Sequence, residues 1–249
     1  MRETLYGRNP VYECLRAGRR QVFGLTVAAG VQEKGTLAEV LALAEQRKLP
    51  IERVQRRQLD ALTGDANHQG IAVEVSSYPY VELDDILSLA GQRGEPPWLL
   101  LLDCLQDPQN LGTLLRTAEI VGVHGVVIPE RRAAEVTPAV SSASSGAGEH
   151  MLVARVVNLV QTMEQLKRRG VWIAGIEAVP QAKAVWQANL GGALALVVGG
   201  EGQGLRRLVE QTCDFMVCLP MRGHVNSLNA AVAGSVVLYE AARQRWMAE

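Results

Sequence analysis

Large aromatic rings are scarce: Phe, Trp and Tyr together make up 4% of the 249 residues. A core with so few rings must be packed with Val, Leu, Ala and Gly, a mixture that suits parallel α/β layers. Net charge is nearly absent as well, at a formal -1, so the chain as a whole has no electrostatic pull toward a polyanion or an anionic membrane. The four cysteines are Cys14, Cys104, Cys213 and Cys218, and no two have the spacing of a zinc knuckle or a thioredoxin-like pair. Three of them lie in apolar runs, so buried, reduced thiols are expected, as in a cytosolic protein. No apolar run approaches the roughly 20 residues of a membrane span; Trp98 to Leu102 is typical of the longest. The N-terminus carries Arg2, Glu3 and Arg8 in place of the apolar segment of a signal peptide. These absences give the expectation of a soluble, cytoplasmic protein without a membrane partner. What is plentiful is apolar residue content, 48%, enough for a sizeable core and against wholesale disorder.

Organisation follows from periodicity and punctuation. Asn9-Pro10 predicts a helix start, with the helix running to Gly18. Residues 21–28 read as a strand, 37–48 as an amphipathic helix, 51–55 and 71–75 as further strands. Together these make a small α/β domain over 1–76. The composition then shifts to Tyr-Pro, acids and GQRGEPP, which predicts a linker over 77–97 containing a short helix near 82–90. From 98 to 249, apolar runs recur as WLLLLD, GVVIP, LVARVV, VWIAGIE, ALALVVG and FMVCLP. Helical patterns separate them near 110–121, 158–169, 205–211 and 228–245. Strands alternating with helices imply a parallel sheet, and ligands bind beyond the carboxyl ends of such strands.

Three strand-end loops carry unusual chemistry. After WLLLLD comes DPQNLGTLLRTAE, in which Asn110 is expected to cap a helix and Gly112 and Arg116 share one helical face. After ALALVV comes GGEGQGLRR. Its glycines permit close backbone approach, yet the spacing breaks the dinucleotide fingerprint and no Lys-Ser/Thr follows, as a phosphate loop requires. Glu201 at its centre suits a cationic or hydroxyl-bearing ligand better than an anion. After FMVC comes LPMRGHVNSLN, where Asn226, Ser227 and Asn229 precede a helix that one Ser alone could cap. The combined inventory of Asn110, Arg116, Glu201, Ser227 and Asn229 has no metal cluster and no nucleophilic cysteine. It points to positioning of a reactive cosubstrate. Basic residues cluster at Arg19-Arg20, at Arg53 with Arg56-Arg57, at Arg131-Arg132 and at 167–169; each cluster alone reads as solvated surface.

The three loops in this order resemble the SpoU class of SPOUT RNA methyltransferases. The matching residues are N-L-G-x-x-x-R-T-A at 110–118, G-G-E-G-x-G-L at 199–205 and L-P-M…S-L-N at 219–229. YGRNPV near the start and HQG at 68–70 resemble that family's ribosomal-protein-like RNA-binding domain. The resemblance implies an α/β fold with a C-terminal parallel-sheet SPOUT domain threaded as a trefoil knot, beside the small N-terminal α/β domain. It implies S-adenosylmethionine as cofactor, held at Gly199, Leu219, Met221 and Leu228. Arg116 falls on the family's catalytic arginine, with Asn110, Glu201, Ser227 and Asn229 around it. It further implies a homodimer that methylates the ribose 2′-hydroxyl of a guanosine in the peptidyl-transferase P loop of 23S ribosomal RNA. The N-terminal domain would grip that RNA through Arg19, Arg20, Arg53, Arg56 and Arg57. Arg222 and His224 stand where many relatives have small residues. The rival readings are a transfer-RNA ribose methyltransferase, a non-catalytic RNA-binding protein on the same scaffold and a nicotinamide-dependent enzyme, the last weakened by the broken dinucleotide fingerprint.

Overall fold

Leu5, Leu25, Val27, Ile71, Val73 and Val75 expose essentially no surface, and the first sheet is built to cover them. A computed structural model describes residues 2–202, 204–225 and 227–247. Its first elements are β1 (Arg2–Tyr6), α1 (Arg8–Ala17), β2 (Val22–Ala28), α2 (Thr36–Gln46), β3 (Ile51–Val54), α3 (Arg56–Thr63) and β4 (Ile71–Ser76). The strands pair in the order β1-β4-β2-β3, with β2 and β3 parallel and the other pairs antiparallel. α1 and α2 bury Val11, Leu15, Leu37 and Val40 against one face. Burying each such side chain contributes roughly 1.5–3 kcal/mol. The cap of α1 is Gly7 at φ 94°, not Asn9, so Pro10 sits inside the first turn.

The chain continues through α4 (Leu83–Arg93), β5 (Trp98–Asp103), α5 (Pro108–Val121), β6 (Gly125–Pro129), α6 (Pro138–Ala143) and a short 3-10 turn, Ala147–Glu149. It then forms β7 (Val153–Val156), α7 (Leu159–Arg168), β8 (Trp172–Ile176), β9 (Lys183–Ala184), β10 (Leu194–Gly199), α8 (Arg207–Thr212), β11 (Phe215–Cys218) and α9 (Ala230–Trp246). Among the described residues the seven strands from β5 onward form one sheet in the order β7-β6-β5-β10-β8-β11-β9, and every pairing is parallel. β5 and β10 are buried along their whole length, which is why their sequences are unbroken apolar runs instead of alternating ones. The stretch expected as a linker carries α4, whose Leu83 and Ile86 belong to the core around β5 and α7.

By packing, the chain divides into two units. One is Met1–Pro79 with Glu135–His150, the other Tyr80–Ala134 with Met151–Glu249. The expected division instead kept 98–249 as one piece. Within the first unit, residues 135–150 are tied to the N-terminal elements by several bonds: the Tyr78 hydroxyl donates to the Gly148 carbonyl at 3.0 Å, His150 meets Glu13 at 2.8 Å, and an ion pair joins Arg20 to Glu149. Glu149 accepts hydrogen bonds from Arg20 Nε at 2.7 Å and Nη2 at 3.0 Å and from the Ser141 hydroxyl at 2.7 Å. Among the described residues, no helix is long and apolar enough to cross a membrane.

Candidate active site

Because the sheet of the second unit is parallel, β5, β10, β8 and β11 all end at the same side. Their register places Gly199 beside Asp103 and Val198 beside Ile176. The loops that follow these strands are therefore neighbours although they lie far apart in sequence. α5 begins with Pro108 and is capped by Asp107, whose Oδ1 accepts from Gln109 N at 3.0 Å. Asn110 is thus not the cap that the sequence suggests. It lies in the first turn and is buried, and its side chain is left available for the loops opposite.

α9 is capped by Asn229, not by Ser227. The Asn229 Oδ1 accepts from Ala231 N at 2.9 Å and Val232 N at 3.1 Å. With its oxygen committed to the helix, the amide nitrogen turns outward and donates to Asn110 Oδ1 at 2.9 Å and to Glu201 Oε1 at 3.2 Å. The Asn110 amide nitrogen donates to the same Glu201 oxygen. Three residues from three loops thus close one triangle around a carboxylate. Asn226 lies outside the described residues.

Beside this triangle is a cavity of about 650 Å³, lined among others by Glu177, Gly199, Glu201, Leu219, Met221, Ser227, Leu228 and Asn229. Its volume falls in the range of small-molecule sites. All four residues expected to hold the cofactor line it. Its wall is backbone-rich because the glycine loop folds tightly back. A Cβ on Gly199 would collide with the Gly204 backbone, and one on Gly204, at φ 63°, would collide with the Glu177 carboxylate. The described lining holds two carboxylates, Glu177 and Glu201, and no Lys or Arg. Sequence reasoning did not single out Glu177. The signal available was its place at the carboxyl end of an apolar strand.

Arg116 does not line the cavity. It lies six residues beyond Asn110 on α5, about 9 Å further along the helix axis, with an exposed side chain. Of the other catalytic candidates, Glu201, Ser227 and Asn229 line the cavity and Asn110 is joined to them through Glu201 and Asn229; Arg116 is not in the described lining.

In the first unit the five arginines expected to meet RNA separate into two groups. Arg53, Arg56 and Arg57 are exposed, and Arg53 pairs with Glu33 at 2.5 Å. Arg20 is a correction to that expectation. Its side chain has 0% exposure, and besides Glu149 it reaches Glu3 at 2.6 Å and the Ser76 carbonyl at 3.2 Å. Burial works against its charge, but Glu149 and Glu3 outweigh it and hold the guanidinium above its ordinary pKa. Arg19 is half-buried, donating to the Tyr78 hydroxyl and the Pro79 carbonyl. The two N-terminal motifs also meet: Arg8 N donates to Gln69 Oε1 at 3.2 Å. His68 is a structural residue. Its Nδ1 accepts from Gly70 N at 3.0 Å, so its Nε2 carries the proton toward Asp60 at 2.8 Å.

Residues 97–239 match the model of the SpoU rRNA Methylase family, and residues 4–81 match that of the RNA 2′-O ribose methyltransferase substrate-binding domain. The putative TrmH family tRNA/rRNA methyltransferase YacO of Bacillus subtilis is 44% identical over 98% of this chain and 96% of its own length. The crystal structure of the SpoU methyltransferase AviRb from Streptomyces viridochromogenes, in complex with its cofactor AdoMet, is similar in fold. Its TM-score is 0.80 at 23% identity, covering 99% of this chain and 91% of that one. A TrmH/SpoU tRNA modifying enzyme of A. aeolicus matches less of the chain, 61% against 77% of its own, with TM-score 0.56 and 26% identity. The ordered loops, the parallel sheet they crown and the two family matches agree: this chain belongs to the SpoU rRNA methylase family.

Proposed function

We propose that this protein transfers a methyl group from S-adenosylmethionine to the ribose 2′-hydroxyl of a guanosine in the P loop of 23S ribosomal RNA. The observation that carries this reading is the cavity with two carboxylates and no cation in its described lining, joined to the Asn110–Glu201–Asn229 triangle. A dinucleotide brings two phosphate charges to such a wall, whereas S-adenosylmethionine supplies a methyl group activated on a positively charged sulfur. The backbone cradle fits that ligand too: Gly199, Leu219, Met221 and Leu228 would hold it, and Gly199, Gly200, Gly202 and Gly204 bring backbone without a side chain to the cavity wall.

A ribose hydroxyl is a poor nucleophile, so alignment is most of the task. Asn110 and Asn229 fix the Glu201 carboxylate at the cavity mouth. Arg116 holds the hydroxyl and stabilises the negative charge that develops on it; a guanidinium stays protonated and suits that role better than a base, so the hydroxyl proton passes to the Glu201 carboxylate, an RNA phosphate or water. A homodimer working in the cytoplasm completes the proposal. Val232, Val236 and Tyr239 form an exposed stripe on α9, with Ile120 exposed on α5, and a second copy covers it. The alternative of a transfer-RNA substrate is weakened by residues 4–81, which match a substrate-binding domain, whereas the A. aeolicus enzyme matches only 61% of the chain.

Calorimetry tests the cofactor: binding of S-adenosylmethionine without binding of NADH is expected, and the reverse result overturns the reading. Arg56→Glu with Arg57→Glu should weaken RNA binding and flatten its log-log salt dependence by roughly 0.7–0.9 for each phosphate no longer neutralised. An unchanged slope would remove these two arginines from the RNA surface.

A further inference from the structure

Glu201 rides on a loop of glycines that has little rigidity of its own. Gly204 N donates back to the Gly200 carbonyl at 3.2 Å, a bond within the loop that does not fix where the loop stands on the sheet. Two carboxylates do. Leu205 N donates to Glu177 Oε2 at 3.0 Å, and the next amide, Arg206 N, donates to Asp103 Oδ2 at 2.8 Å. Asp103 ends β5 and Glu177 follows β8, the strands on either side of β10. Consecutive amides are thus pulled to opposite sides of the strand from which the loop springs.

Both anchors are themselves held. Asp103 has no exposed surface, and its second oxygen accepts from Arg206 Nε at 2.7 Å. The Glu177 backbone donates to the Val217 carbonyl of β11 at 3.0 Å. Charge-assisted bonds from a carboxylate to a backbone amide are among the stronger hydrogen bonds a protein makes.

We infer that Asp103 and Glu177 are positioning residues: they fix the glycine loop so that its backbone shapes the cofactor cavity and Glu201 meets Asn110 and Asn229. This rests on the proposed methyltransferase activity and extends it to two residues outside the family motifs. What Glu177 supplies in this role is an acceptor oxygen, which a glutamine keeps and an alanine lacks.

The test uses S-adenosylhomocysteine, which lacks the sulfonium charge and so separates positioning from simple attraction. Its affinity is measured calorimetrically for the full chain, for Glu177→Gln and for Glu177→Ala, with thermal midpoints recorded for each. The expected result is affinity within about threefold of the parent for Glu177→Gln and at least about tenfold weaker for Glu177→Ala, a difference of about 1.4 kcal/mol. The single-turnover rate of Glu177→Ala at saturating cofactor should also fall, because Glu201 moves with the loop. Equal affinities in all three proteins overturn the inference, as do equal losses in the two variants, which would assign the effect to charge alone. No binding by the parent protein would instead sink the methyltransferase reading itself.

Discussion

Arg116→Ala should lower the single-turnover rate of RNA methylation by about 100-fold or more at saturating cofactor and RNA. That is the scale of removing one electrostatic interaction with a developing oxyanion. Cofactor affinity should change little, because Arg116 stands on α5 outside the described lining of the cavity. Arg116→Lys should not restore the rate, since an ammonium lacks the planar fork that can hold two groups at once. An arginine serving only as a surface ion pair would behave otherwise, with a stability change under about 1 kcal/mol and near-normal turnover. Near-parental rates for Arg116→Ala would therefore refute its proposed role.

The second large effect is on stability and concerns Arg20. Removing one partner of a buried pair leaves the other charged and unpaired, which typically costs about 3–5 kcal/mol. Arg20→Ala or Glu149→Ala should accordingly lower the thermal midpoint by on the order of 10 °C. Replacing both residues together by apolar ones should recover much of the loss, because the one partner left, Glu3, is 22% exposed and can be hydrated. An arginine that served only to bind RNA would give the opposite pattern, with an unchanged midpoint and weaker RNA binding. The pair also bears on truncation. A fragment beginning at residue 98 retains Glu149 and Ser141 but lacks Arg20 and Glu3, so it should fold less well than a fragment from which 135–150 is removed too.

The sequence was most informative where one physical rule dominates. WLLLLD and GVVIP became β5 and β6 over the same residues, because a strand buried on both faces leaves no alternative to an unbroken apolar run. β1 was illegible: two of its five residues are charged, and Arg2 finds its partners on other strands, Glu74 at 2.9 Å and the Phe23 ring. α3 was hidden in the same way behind Arg56 and Arg57. Its start is marked by a capping box of two glutamines, Gln55 and Gln58, where Ser or Thr is the usual first member. α6 and the turn after it are built mostly from Ser, Ala and Gly, with Val140 their one large apolar residue, so there is no period to detect. In the site, Asn110, Glu201, Ser227 and Asn229 were legible as motif members. Asp103 and Glu177 were not, since each is a lone acid whose role depends on an amide far along the chain. Arg20 was misplaced for a related reason: an Arg-Arg doublet looks the same whether its charges face solvent or a glutamate 129 residues away.

The most direct measurement is to incubate the purified protein with methyl-labelled S-adenosylmethionine and 23S ribosomal RNA, and in parallel with transfer RNA, digest each RNA and locate the label. Label on the 2′-oxygen of a guanosine in the P-loop segment is the predicted result, with transfer RNA left unlabelled. Label on a base, label confined to transfer RNA, or no transfer to any RNA would contradict it.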